Sequence, residues 1–157
     1  MKAYKSPLVL QNFFLLNHSY HFIEPQDDKN VDISEILNNY NIDIDFSFKN
    51  ISENLFQLFT KININDLEKP FPGYVLFIEG VCIFSFDKQD ELTDQEKSNL
   101  LHVSGLNICI NSLRNNLTIT TANGPFGKYI LPSIDVNKLL IDKQAQVTTN
   151  KSRKESK

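Results

Sequence analysis

A chain of 157 residues, 41% of them hydrophobic, suits one domain with a core of its own. A net charge of −3 and an isoelectric point of about 5.6 argue against a phosphate-binding surface. No stretch approaches the roughly 18 apolar residues of a membrane span, so neither nucleic acid nor membrane insertion is expected.

The first segment, residues 6–24, is rich in Leu, Val, Phe and Tyr. Its alternation falters around Phe13–Leu16, which predicts a long strand with a bulge there. Residues 25–30 read as an exposed loop. Residues 31–40 carry Ile33, Ile36 and Leu37 on one side and predict a short helix. Residues 42–49 alternate strictly, with Ile42, Ile44, Phe46 and Phe48 on one face and Asp43, Asp45, Ser47 and Lys49 on the other. That is the pattern of a sheet buried on one side and wet on the other. After a turn at residues 50–54, residues 55–65 form the next strand. Residues 74–86 form a fourth strand, apolar on both faces for most of its length, as a central or doubly covered strand would be. Four consecutive strands suggest an antiparallel meander.

The pattern changes after an acidic loop at residues 87–91. Thr93-Asp-Gln-Glu96 fits a capping box. From there Leu100, Val103, Leu106, Ile110, Leu113 and Leu117 recur at helical spacing. Asn123-Gly124-Pro125 offers a left-handed cap and a stop. The segment is one helix of about 30 residues or less, or two with a break at Asn115-Asn116, where the mean helix has about 12 residues. So long an apolar helix overhangs a four-stranded sheet and asks for a partner, and these six residues are the expected oligomer interface. Residues 124–133 form a Gly/Pro-rich apolar loop. Val136, Leu139, Leu140 and Ile141 form a short last helix capped by Ser133 or Asp135. The fold class is therefore α+β: a four-stranded antiparallel sheet, one long helix, an aromatic loop and a short C-terminal helix. Residues 1–142 form the domain. Residues 143–157, with Lys151, Arg153, Lys154 and Lys157, read as a disordered polar and basic tail.

No catalytic group is expected. His18 and His21 point to opposite faces of a strand. His102 and Cys109 lie about two turns apart, roughly 10 Å, too far for a histidine to activate a thiol. Asp43 and Asp45 share a strand face about 7 Å apart, but solvated carboxylates do no acid–base work. Cys82 and Cys109 read as small core or interface residues of a protein in a reducing compartment, without the further ligands a metal would need. No metal, cofactor or enzyme activity is expected, and without a secretory signal the expected location is the cytoplasm.

The order of elements, with several local sequences, resembles the SecB family of protein-export chaperones. The opening Leu8-Val-Leu-Gln-Asn-Phe-Phe14, then His21-Phe-Ile-Glu-Pro25, is similar to the family's first strand. Ile42-Asp-Ile-Asp-Phe46 resembles its second, and Gly80-Val-Cys-Ile-Phe-Ser-Phe86 the end of its fourth. Arg114, Gly124-Pro-Phe126 and Leu131-Pro-Ser-Ile-Asp-Val136 resemble its helix arginine, its aromatic-proline loop and the entry to its last helix. The likeness covers about residues 6–142 and rests on the ordered set, not on any one motif.

The resemblance implies a homotetramer, a dimer of dimers, that holds unfolded preproteins in apolar grooves without ATP. The groove residues it suggests are Phe46, Phe48, Phe56, Tyr74, Phe126, Tyr129 and Leu131. It further implies docking of the SecA translocase motor on acidic residues of the outer sheet face. This chain departs there, with Ser19 and Phe77 at the corresponding positions and Glu24 and Glu79 only nearby. Two other readings stand beside the holdase. One is a protein of the same fold with a single dedicated partner, as in toxin–antitoxin control, and the other is a small-molecule binder with a closed apolar pocket.

Overall fold

A computed structural model describes residues 1–26, 32–65, 68–87 and 91–155, with side chains up to Gln146. Most of the first loop, the middle of the acidic loop and the side chains of Lys151, Arg153, Lys154 and Lys157 lie outside the described residues.

Four strands form one antiparallel sheet: β1 (Leu8–Ile23), β2 (Ile42–Ser52), β3 (Leu55–Ile64) and β4 (Gly73–Phe86). Their order is β1-β4-β3-β2, which corrects the simple meander. Only β2 to β4 run as consecutive neighbours. The chain leaves β1, passes through the short helix α1 (Ile33–Asn38) and enters the sheet at its far edge. The reason lies in β4. It is apolar on both faces, so it belongs inside the sheet and needs a neighbour on each side. β1, at 16 residues, spans the 14 of β4 from Leu8 opposite Phe86 to Ile23 opposite Gly73. Its register slips between Leu10 and Asn12 and again between Leu15 and Asn17, where the alternation falters. The second slip restores Tyr20 and Phe22 to the helix side of the sheet.

The long helix covers one face. Thr93 and Glu96 form the reciprocal capping box of α2 (Asp94–Asn99), which passes through a π-turn (Leu100–Gly105) into α3 (Leu106–Thr121). Neither Asn115 nor Asn116 breaks the helix. Asn116 Nδ2 instead donates to the Ser112 carbonyl one turn back, at 2.9 Å. The π-turn adds a residue to one turn and rotates what precedes it. Leu101 is therefore the buried residue there, and Val103, expected inward, is 37% exposed. Leu106, Cys109, Ile110, Leu113 and Leu117 pack on Leu58, Ile62, Ile78, Cys82 and Phe84 to form the core.

The helix ends as expected but not by a left-handed cap: neither Asn123 nor Gly124 has a positive φ. Gly124 N–H donates to the Thr121 carbonyl at 2.9 Å, and Pro125 forbids continuation. The left-handed glycine of this loop is Gly127, at φ 70°. Asp135 caps the last helix, α4 (Val136–Glu155), accepting from Lys138 N at 3.0 Å. The helix runs past residue 142 through Lys143, Gln144, Ala145 and Gln146, all strong helix formers.

Candidate functional site

The aromatic loop after α3 is held from two sides. Tyr74, on the helix side of β4, donates to the Gly127 carbonyl at 2.7 Å and accepts from Phe126 N at 2.9 Å. From α3, Thr121 Oγ1 accepts from Tyr129 N at 2.7 Å, and Thr118 Oγ1 donates to the Tyr129 carbonyl at 3.2 Å. Arg114 donates to the Leu131 and Pro132 carbonyls, each at 2.9 Å, and to Asn111 Oδ1. A loop with its backbone groups answered this way is a fixed wall.

That wall sorts the residues expected to line a groove. Tyr74, Tyr129 and Leu131 are buried at 0%, 2% and 1% exposure, and Phe46 is buried as well. They belong to the core of the single chain, and Tyr129 also shows an edge in a cleft beside α1. The cause is alternation: Tyr129 and Leu131 point in, and Ile130 between them is 57% exposed. Phe126 is half-buried edge-on against Phe22, with ring centroids 5.2 Å apart. Phe48, also half-buried, stacks on His102 at 4.3 Å. Phe56 packs against Phe86 at 5.5 Å.

Two clefts of mixed lining lie beside α1. A cleft of about 400 Å³ is lined by Leu37, Tyr40, Ile42, Tyr129, Ile130 and Pro132, with Ser34, Asn38 and Lys128 at its margin. A second cleft, of about 420 Å³, is lined by Ile23, Glu24, Pro25, Gln26, Ile36, Pro70 and Pro72. Ile36 and Leu37 are neighbours on α1, so this helix is the ridge between the two recesses. Ile33 and Phe71 are exposed large apolar residues on the same segments. Asp32 fixes the start of α1 by accepting from Ser34 N and Glu35 N. Tyr40 fixes its end, donating to the Pro72 carbonyl at 2.9 Å and accepting from Tyr74 N at 2.7 Å. Sequence reasoning missed Ile36, Leu37, Ile42 and Ile130 as lining residues. The in-out-in pattern at 129–131 was the available signal.

Of the six residues expected at an oligomer interface, Leu106, Ile110, Leu113 and Leu117 are covered by the chain's own sheet. Leu100 is half-buried, and only Val103 is exposed. The larger uncovered apolar surface is on β1, an edge strand on which Leu10, Phe14, Leu15, Leu16 and Tyr20 are all exposed. Leu16, at the bulge, is 50% exposed.

The opposite sheet face is mixed, with Phe59, Val75, Phe77, Val81 and Ile83 beside Asp43, Asp45, Lys61 and Glu79. A recess of about 390 Å³ there is lined by Ser19, His21, Asn41, Asp43, Asn63, Asn65, Val75, Leu76 and Phe77. Asp45, expected to be solvated, is ion-paired with Lys61 at 3.5 Å and with Lys143 of α4. The Lys143 ammonium holds its carboxyl below the ordinary range, with burial opposing. Lys61 stands between Asp45 and Glu79 in the register, which offsets the acids of this face. His18 lies opposite Ile78 and His21 opposite Val75, on different faces. Among the described residues, no three His, Cys, Asp or Glu side chains come together as a metal site. Among the described residues, no helix is long and apolar enough to cross a membrane.

No family model matches the chain, and no curated protein matches it. Among solved structures it is similar to the Mycobacterium tuberculosis Rv1957 SecB-like chaperone, in complex with a ChAD peptide from the Rv1956 HigA1 antitoxin. That match has a TM-score of 0.59 and 10% identity and covers 82% of this chain and 91% of that one. A protein of unknown function from Streptococcus agalactiae is matched with a TM-score of 0.38 and 12% identity, over 81% of this chain and 97% of that one. At 10% identity the first likeness is one of fold: this chain folds as a SecB-like chaperone does.

Proposed function

We propose that the chain is a non-enzymatic, ATP-independent chaperone that binds extended segments of unfolded polypeptide in the two clefts beside α1. The observation that carries this reading is the pair of recesses, each about 400 Å³, that present apolar side chains such as Leu37, Ile36 and the exposed Ile130 on a preformed frame. Each recess takes a few side chains, and a long chain gains affinity by filling several at once. The similar fold of a chaperone in complex with a peptide supports the same reading. Two copies packed through the exposed side chains of β1, without strand pairing, would cover its leucines and multiply the clefts, so a homo-oligomer, with the dimer of dimers as its largest form, belongs to the proposal. Free thiols at Cys82 and Cys109 suit the cytoplasm.

A chaperone with one dedicated partner is the second reading, favoured by the antitoxin peptide in the similar structure. Service to preprotein export through SecA is the less favoured branch, because the outer face balances Asp45 and Glu79 with Lys61 and Lys143.

The test is suppression of aggregation of a chemically unfolded client without nucleotide, with particle mass read by light scattering in the same sample. Suppression by the wild type, weakened by Ile130→Asp and Leu37→Asp, supports the holdase. A folded oligomer that fails to suppress, yet retains one partner tightly, supports the second reading. Unaltered suppression by both variants overturns the placement of the site. Leu16→Lys lowers the particle mass if β1 is the seam between copies.

A further inference from the structure

The chain has two cysteines, one on β4 and one on α3, 27 positions apart, and the fold brings them together. Cys82 lies opposite Leu58 in the β3–β4 ladder, on the helix side of the sheet. Cys109 comes down on the same place: its Sγ is 3.8 Å from the Leu58 carbonyl oxygen, to which it donates. Both side chains are wholly buried, and Leu58 brings them together: it pairs with Cys82 across the ladder while its carbonyl takes the Cys109 thiol. The surrounding residues let helix and sheet approach closely here. Gly80, two residues from Cys82 on the same face, has no room for a Cβ, which would lie 2.9 Å from Leu113 Cδ2. Thr60, opposite Gly80, is small as well. Its hydroxyl is buried without a hydrogen-bond partner, a cost an aliphatic core would not carry.

We propose that Cys82 and Cys109 are a dithiol that closes to an intrachain disulfide under hydrogen peroxide, stapling α3 to β4. Peroxide is small enough to reach a core that opens transiently. The Cys109 sulfur attacks the peroxide oxygen, which breaks the O–O bond, forms a sulfenic acid and releases water. The Cys82 sulfur then attacks the sulfenic sulfur, forming the S–S bond and releasing a second water. Two thiols are oxidised and one peroxide is reduced. The two protons lost by the thiols leave in the two waters. The neighbouring Cys82 thiol lowers the Cys109 pKa against the pull of burial, which favours Cys109 as the first sulfur. The covalent link fastens the long helix at the middle of the sheet, and a small dithiol reverses it. The inference is independent of the clefts beside α1.

The experiment treats the reduced, full-length chain with hydrogen peroxide, then counts thiols after unfolding and measures the intact mass. The expected result is a fall from two titratable thiols to none, with a mass loss of about 2 Da. Particle mass stays unchanged, and the melting temperature rises by several degrees and returns on treatment with dithiothreitol. Cys82→Ala and Cys109→Ala each abolish the mass loss. Should either variant fail to fold, a proteolytic map of the oxidised wild type, with the fragments bearing residues 82 and 109 joined, decides the matter. Two thiols still titrating, a mass gain from added oxygen, or a covalent dimer would each overturn the proposal.

Discussion

The amide of Phe126 donates to the hydroxyl of Tyr74 at 2.9 Å, across 52 residues of sequence. The same hydroxyl donates to Gly127, so one buried side chain fixes both ends of the loop's tightest turn. Tyr74→Phe keeps the ring and removes both bonds. We expect a loss of about 1–3 kcal/mol in denaturant unfolding. Hydrogen exchange at residues 124–131 should quicken, and an unchanged exchange rate would show that the loop is held without Tyr74.

The neighbouring tyrosine behaves in the opposite way. The Tyr129 hydroxyl is buried without a hydrogen-bond partner, and burial pushes its pKa up to about 12. Tyr129→Phe removes an unanswered polar group and should leave stability equal or raise it by about 1 kcal/mol. The pH dependence has a definite sign. The unfolded chain releases this proton at its ordinary value of 10.0 and the folded chain only near 12, so stability falls as pH rises above 10. Unfolding midpoints between pH 8 and 11 should decline less in the variant than in the wild type.

Asp45 joins β2 to α4 through Lys143, and Lys143 also lies over the Phe46 ring, 5.7 Å from its centroid. The lysine holds the Asp45 carboxyl below its ordinary 3.8. A depressed acid stabilises above its unfolded value, and that contribution is lost as pH falls through the folded one. Both side chains are about a third exposed or more, so Asp45→Asn should cost under about 1 kcal/mol at neutral pH. The difference from wild type should shrink below pH 4, as read by stability curves at pH 7, 4 and 2.5.

Two glycines separate close packing from mere smallness. A Cβ on Gly80 would lie 2.9 Å from Leu113 and from Phe13, both large core-side residues. Gly80→Ala should cost about 1–3 kcal/mol. A Cβ on Gly105 would lie 3.5 Å from Phe84, an ordinary contact. Gly105→Ala, within a helical turn, should stabilise by about 0.5–1 kcal/mol. Equal effects in thermal unfolding would contradict the tight approach of α3 at Gly80.

What was legible in the residues depended on how local the cause was. Strict alternation from Ile42 to Lys49 and the capping box at Thr93 are each complete within a few residues, and both were read directly. The position of β1 was not, because pairing with β4 is a long-range choice that no local pattern states. The π-turn was hidden for a different reason. One added residue rotates Leu101 inward and Val103 outward, and a fixed helical period cannot anticipate that. Tyr129 and Leu131 were taken for surface because they belong to a loop. The hydroxyls that hold that loop, on Tyr74 and Thr121, come from β4 and α3. The meeting of Cys82 with Cys109 likewise depends on which helix residue lands over Leu58.

Both outer strands of the sheet occupy a mid-strand amide with the side chain of the residue before it. Asn12 accepts from Phe13 N at 2.9 Å on β1, and Asp45 accepts from Phe46 N at 2.8 Å on β2. An arriving strand finds those donors already engaged, and on β1 the nearby register slips throw it out of step. Growth by adding strand upon strand is therefore interrupted at each margin. Under the proposed function the chain would work among the species most prone to fibre formation, and margins occupied in this way would keep its sheet from seeding a filament of itself.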